Sequence, residues 1–144
     1  MKPGVEEFLA EKRLAVVGVS RTRGFGNTAW HELRRQGYQA FPVNAAADEV
    51  EGERCYRRLA DVPGPPRAVL AVVPPAETEK LVAECARLGV KHLWMQQGSE
   101  SEAAIRAAEA AGLNVVHHAC VLMYAEPRGV HRWHAGWRRL IGRL

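Results

Sequence analysis

No apolar run in the chain approaches the ~20 residues a membrane span requires, and the N-terminus, "MKPGVEEFLAEKR", has no apolar core of the secretory kind. Both absences predict a cytoplasmic protein with no membrane span. Cysteine is scarce. Cys55, Cys85 and Cys120 are odd in number and far apart, which argues for reduced thiols rather than a disulfide framework or a CxxC metal knuckle. A basic stripe is missing as well: the net charge is +4, but residues 128–144 hold five arginines and no acid, leaving fifteen basic against sixteen acidic groups in residues 1–127. A near-neutral body does not predict a nucleic-acid partner. With 144 residues, no linker-like stretch and no long repeat, one domain is expected.

What is present is an alternation of apolar strands and helices. "LAVVGV" and "AVLAVV" are apolar throughout, as parallel strands covered on both faces must be. "LRRQGYQAFPV", "ARLGVKHLWM" and "EAAGLNVVHH" share one design, a helical stretch stopped by Gly37, Gly89 or Gly112 and followed by a strand. The pattern predicts strands near 14–19, 38–43, 67–73, 91–95 and 113–117, and helices near 5–11, 26–36, 76–88 and 100–111. The fold class is α/β, a doubly wound parallel sheet in three layers. If "GERCY" forms a short edge strand, followed by a helical turn at "RRLADVP", the strand order is 3-2-1-4-5-6. The direction of the chain then reverses between the first strand and "RAVLAVV", with ligand expected at that switch point.

The turn after the first strand, "GVSRTRGFGN", fits neither common phosphate loop. Gly18, Gly24 and Gly26 are spaced GxxxxxGxG rather than GxGxxG, the second strand ends in "FPVN" without an acid, and no GxxxxGK follows. What remains is a longer loop at a helix N-terminus carrying Ser20, Arg21 and Arg23. Backbone amides and guanidinium groups there suit a ligand with more than one phosphate. The plain alternative is a solvated turn whose arginines face water.

"VVGVSRTRGFGN", "GYQAFPVN", "EVEG", "VVPPAE", "GVKHLWMQQGSESEAA", "AAGLNVV" and the cysteine of "HHACVL" resemble, in order and spacing, the small stand-alone CoA-binding proteins related to the N-terminal domain of the succinyl-CoA synthetase α subunit. The resemblance covers about residues 10–125. It implies a single Rossmann-like domain, taken as residues 1–127, that binds coenzyme A or an acyl-CoA. By position, Gly18, Ser20, Arg21, Thr22, Arg23, Gly24, Gly26 and Asn27 match the phosphate-binding loop. Pro42 and Asn44 fall at the nucleotide side beyond the second strand, and Pro74 lies after "AVLAVV". Gln96, Gln97 and Gly98 match the turn facing the pantetheine arm. "NAAAD" and "HHAC" depart from the pattern, relatives carrying Asn-Pro and Asp-Arg-Cys or Asn-Cys there.

No catalytic or metal-binding residue is assigned. The synthetase relatives use a phosphorylated histidine from another domain, which is not recognisable in these residues. Adjacent strand residues point to opposite faces, so His117 and His118 do not pair; His118 and Cys120 form at most one pair, and zinc wants three or four ligands. In residues 130–144, Val130, Trp133, Trp137, Leu140, Ile141 and Leu144 recur at helical spacing, which predicts a basic amphipathic tail packed on the body or on a second subunit. The leading reading is a non-catalytic CoA-binding protein, acting alone, as a homodimer or with a protein partner. The alternatives are an NAD(P)-binding regulator or small oxidoreductase on the same fold, preferring NADPH, and an interaction protein working through the tail.

Overall fold

The computed structural model describes residues 4–125; the tail at 128–144 lies outside them. The elements run α1 (Val5–Leu9), β1 (Arg13–Val17), α2 (Phe25–Arg35), β2 (Gln39–Val43), β3 (Glu49–Val50), β4 (Glu53–Arg54), β5 (Ala68–Ala71), α3 (Pro75–Leu88), β6 (His92–Gln96), α4 (Glu102–Ala110) and β7 (Asn114–Ala119). Five strands form one parallel sheet in the order β2-β1-β5-β6-β7.

Alternation within the strands builds two cores. Leu14, Val16, Leu70 and Trp94 face one side, where α1 and α2 deliver Phe8, Trp30 and Leu33. Ala15, Val69, Leu93 and Met95 face the other, against Leu81, Val82 and Cys85 of α3 and Ala104 and Ala108 of α4. The result is a three-layer α/β/α sandwich, as the doubly apolar strands predict. Both core tryptophans satisfy their indole N–H groups, Trp30 on the Ala40 carbonyl at 3.1 Å and Trp94 on the Ala119 carbonyl at 3.0 Å. The helix stops also behave as expected: Gly37, Gly89 and Gly112 have φ of 96°, 81° and 83°, a region that costs other residues a steric penalty.

The six-strand order does not form. Residues 49–54 fold back as a two-stranded antiparallel hairpin, β3–β4, turning at Glu51 and Gly52 with φ of 53° and 79°. Only Tyr56 reaches the sheet, through one parallel bridge to Val43. The physical reason lies in β2: Pro42 has no N–H to offer an outer neighbour, and the Ala40 carbonyl is taken by Trp30. "RRLADVP" does contain one helical turn, Leu59–Asp61. The main strands thus follow the order 2-1-3-4-5, and the switch point between β1 and β5 is retained.

Candidate functional site

At that switch point the exits of β1 and β5 almost touch. Gly18 has φ of 116°, and a Cβ there would sit 1.9 Å from the Val72 carbonyl oxygen. A Cβ on Gly26, in the first turn of α2, would sit 2.4 Å from the Gly18 carbonyl oxygen. Glycine at both positions lets the loop fold tightly between strand and helix.

The loop is then held by side chains. Asn27, almost fully buried, accepts from the Ser20 N–H at 2.8 Å and donates to the Ser20 carbonyl at 2.9 Å, while its amide also reaches Glu51 at 2.9 Å. Ser20 Oγ accepts from the Thr22 N–H at 3.2 Å. Asn44 ties the end of β2 to the same loop, donating to the Val19 carbonyl at 2.6 Å and accepting from the Ala46 N–H at 2.7 Å. Asn27 and Asn44 therefore shape the loop from behind.

A cavity of about 580 Å³ opens here, between the exits of β1, β2 and β5, the 57–59 segment and α3. Its floor is apolar, with Val17, Val19, Val43, Leu59, Val72 and Leu81, and its polar groups come from Ser20, Asn44, Arg57, Arg58, Glu77, Lys80 and Glu84. Of the residues expected from sequence, Gly18, Ser20, Asn44 and Pro74 line it. Arg21, Thr22, Arg23 and Gly24 are exposed on the loop outside that lining. Pro42 borders a separate groove with Trp30, Arg34 and Tyr56. Gln96 is buried and accepts from the Val121 N–H at 3.0 Å, so it braces the segment after β7. Gln97 and Gly98 occupy an exposed turn, where the Gly98 N–H meets Glu100 at 2.7 Å.

Arg57, Arg58 and the α3 wall line the cavity without being among the residues expected from sequence. The wall was legible in principle, since Glu77, Lys80, Leu81 and Glu84 recur at the i, i+3, i+4, i+7 spacing of one helix face. The arginines were not, because their place depends on the bridge at Tyr56. Arg57 forks onto Asp48 at 2.6 and 3.2 Å, which lowers the Asp48 carboxyl below its ordinary range and raises Arg57. Arg58 meets Asp61 at 3.3 Å and Lys80 meets Glu77 at 3.7 Å. Such exposed pairs add little stability and yield readily to a stronger anion.

The histidines depart from the expected alternation. β7 is irregular between Val116 and Ala119, and His118 has φ of 57°. That break puts both rings on one side, with Nδ1 atoms 2.6 Å apart. Among the described residues no three His, Cys, Asp or Glu side chains converge as metal ligands. Burial raises the Cys55 thiol and pushes Cys85 up to about 12, so both stay neutral near pH 7; Cys120 is half-buried.

The sheet order and the cavity at its switch point define a Rossmann-like α/β domain. The chain belongs to the CoA binding domain family, whose model matches residues 12–126. It is similar to the ADP-forming acetate–CoA ligase II of Archaeoglobus fulgidus, 31% identical over 111 residues, which make up 74% of this chain but 16% of that protein. The chain thus spans about a sixth of that relative. Among solved structures, a conserved hypothetical protein from Pyrococcus furiosus superposes with a TM-score of 0.71 at 34% identity, covering 76% of this chain and 96% of that one. A hypothetical protein from Pyrococcus horikoshii gives 0.76 at 30% identity, covering 96% and 90%.

Proposed function

We propose that this protein binds coenzyme A, or an acyl-CoA, at the β1–β5 switch point and performs no chemistry of its own. The observation that carries the reading is the cavity itself. It lies at the carboxyl ends of the parallel strands, where Rossmann-like domains take nucleotides, in a chain of the CoA-binding family. The Ser20 loop and the N-terminus of α2 suit the phosphates, and the turn at Gln97 and Gly98 suits the pantetheine arm, by resemblance to the family.

A binding role asks only for shape and polarity, for which the apolar floor and the mixed charged groups around it are suited. Among the described residues no helix is long and apolar enough to cross a membrane, and a cytoplasmic protein, alone or paired with a partner, is the setting this reading favours. Calorimetric titration of the full chain with CoA, NAD and NADPH tests it. Saturable CoA binding with no response to either nicotinamide cofactor is expected. NADPH binding without CoA binding would replace the proposal with a dinucleotide-binding role.

A further inference from the structure

Arg57 and Arg58 reach the cavity from a segment that the chain pins beside the end of β2. The Tyr56 N–H donates to the Pro42 carbonyl at 3.0 Å, and the Asn44 N–H donates to the Tyr56 carbonyl at 2.9 Å. In Rossmann-type domains the end of the second strand is where the ribose is read, by an acid for its hydroxyls or by an arginine for a ribose phosphate. Asn44 occupies that strand end, but both ends of its side-chain amide are committed within the protein. The guanidinium groups next to it are not committed in the same way. Arg57 directs its Nε and Nη2 to Asp48 in a fork, and among the described residues its Nη1 makes no hydrogen bond. Arg58 makes two long contacts to Asp61, at 3.3 and 3.5 Å. On α3, the carboxylates of Glu77 and Glu84 share the lining with Lys80, so a doubly charged group is better placed near the arginines than against that helix.

We propose that Arg57 and Arg58 are specificity-determining residues that read the 3′-phosphate on the ribose of CoA. Arg21 and Arg23, which the loop pattern favours for phosphate, lie outside the cavity lining and do not read that group. The inference rests on the CoA-binding reading above and extends it to the part of the ligand that separates CoA from dephospho-CoA.

The test titrates CoA and dephospho-CoA, at one salt concentration, into the wild-type chain, the double variant Arg57→Gln/Arg58→Gln and the double variant Arg21→Gln/Arg23→Gln. The wild type is expected to prefer CoA by about ten- to hundredfold, the range one or two charge-assisted hydrogen bonds provide. In the Arg57/Arg58 variant CoA affinity drops to that for dephospho-CoA, and saturable dephospho-CoA binding persists, which shows that the site is still folded. The Arg21/Arg23 variant keeps the wild-type ratio. A ratio that survives loss of Arg57 and Arg58, or a wild type that binds both ligands equally, overturns this inference while the CoA-binding reading stands. A wild type that binds neither overturns both. If the double variant loses both ligands, Arg58→Gln alone decides, because it leaves the Asp48 fork intact: an undiminished ratio there refutes the inference.

Discussion

Gly18 carries the tightest constraint in the site. Its φ of 116° and the Val72 carbonyl oxygen 1.9 Å from where a Cβ would stand leave a side chain both strained and without space. Gly18→Ala is expected to cost about 3 kcal/mol or more, from backbone strain plus overpacking, read as a lowered urea midpoint at unchanged slope. An unchanged midpoint would mean that β1 and β5 can part without penalty. Gly24, by contrast, is extended at φ 167° and leaves 3.7 Å to the nearest foreign atom, so backbone geometry does not require glycine there. Three glycines that look alike in the sequence thus have different reasons: Gly18 and Gly26 for close approach, Gly24 for neither close approach nor strain.

At the scale of elements, the hairpin β3–β4 supports the loop through one buried amide. Glu51 at its tip reaches Asn27 at 2.9 Å, and Asn27 clamps the Ser20 backbone on both sides. Asn27→Ala leaves a peptide N–H and carbonyl without their partners and is expected to lose about 2 kcal/mol of stability, with weaker CoA binding in the same calorimetric assay. Glu51→Ala, an exposed contact, should cost under about 1 kcal/mol. Equal losses in the two variants would place the support in the hairpin rather than in Asn27. The helices and main strands were legible from apolar runs and glycine stops, because these are local signals. The hairpin was not, since "EVEGERCY" carries an edge-strand composition and its fate turned on the missing N–H of Pro42 in another strand.

On the scale of the whole molecule, the cavity sits at the carboxyl ends of the strands, while a polar cluster closes the opposite ends. His92, partly buried, accepts at Nδ1 from the Asn114 amide at 2.9 Å, so in its neutral form the proton resides on Nε2, facing Glu11 at 3.5 Å. Asn114 also donates to the Gly4 carbonyl at 3.0 Å, and Arg67 meets Glu11 at 3.2 Å. Burial lowers the His92 pKa from 6.5, with nearby Arg67 in the same sense and Glu11 and Glu7 opposing. The unfolded chain therefore takes up this proton first as pH falls. Stability from this group is full above about pH 6.5 and declines as pH drops from there through the lower folded value. Thermal unfolding between pH 5 and 8 should show that decline, and His92→Gln should flatten it; parallel profiles would remove His92 from the balance.

The α/β alternation, the helix stops, the switch point and the family are all written in local periodicity or in a run of motifs, so they can be read along the chain without its fold. Only the tertiary structure brought Arg57 and Arg58 to the cavity and left Arg21 and Arg23 outside its lining. Asn27, Asn44 and Gln96 turned to backbone partners because buried or half-buried amides must be satisfied, and Arg57 and Arg58 entered through a bridge between Val43 and Tyr56 that residues thirteen apart in sequence form only when the sheet edge is already in place.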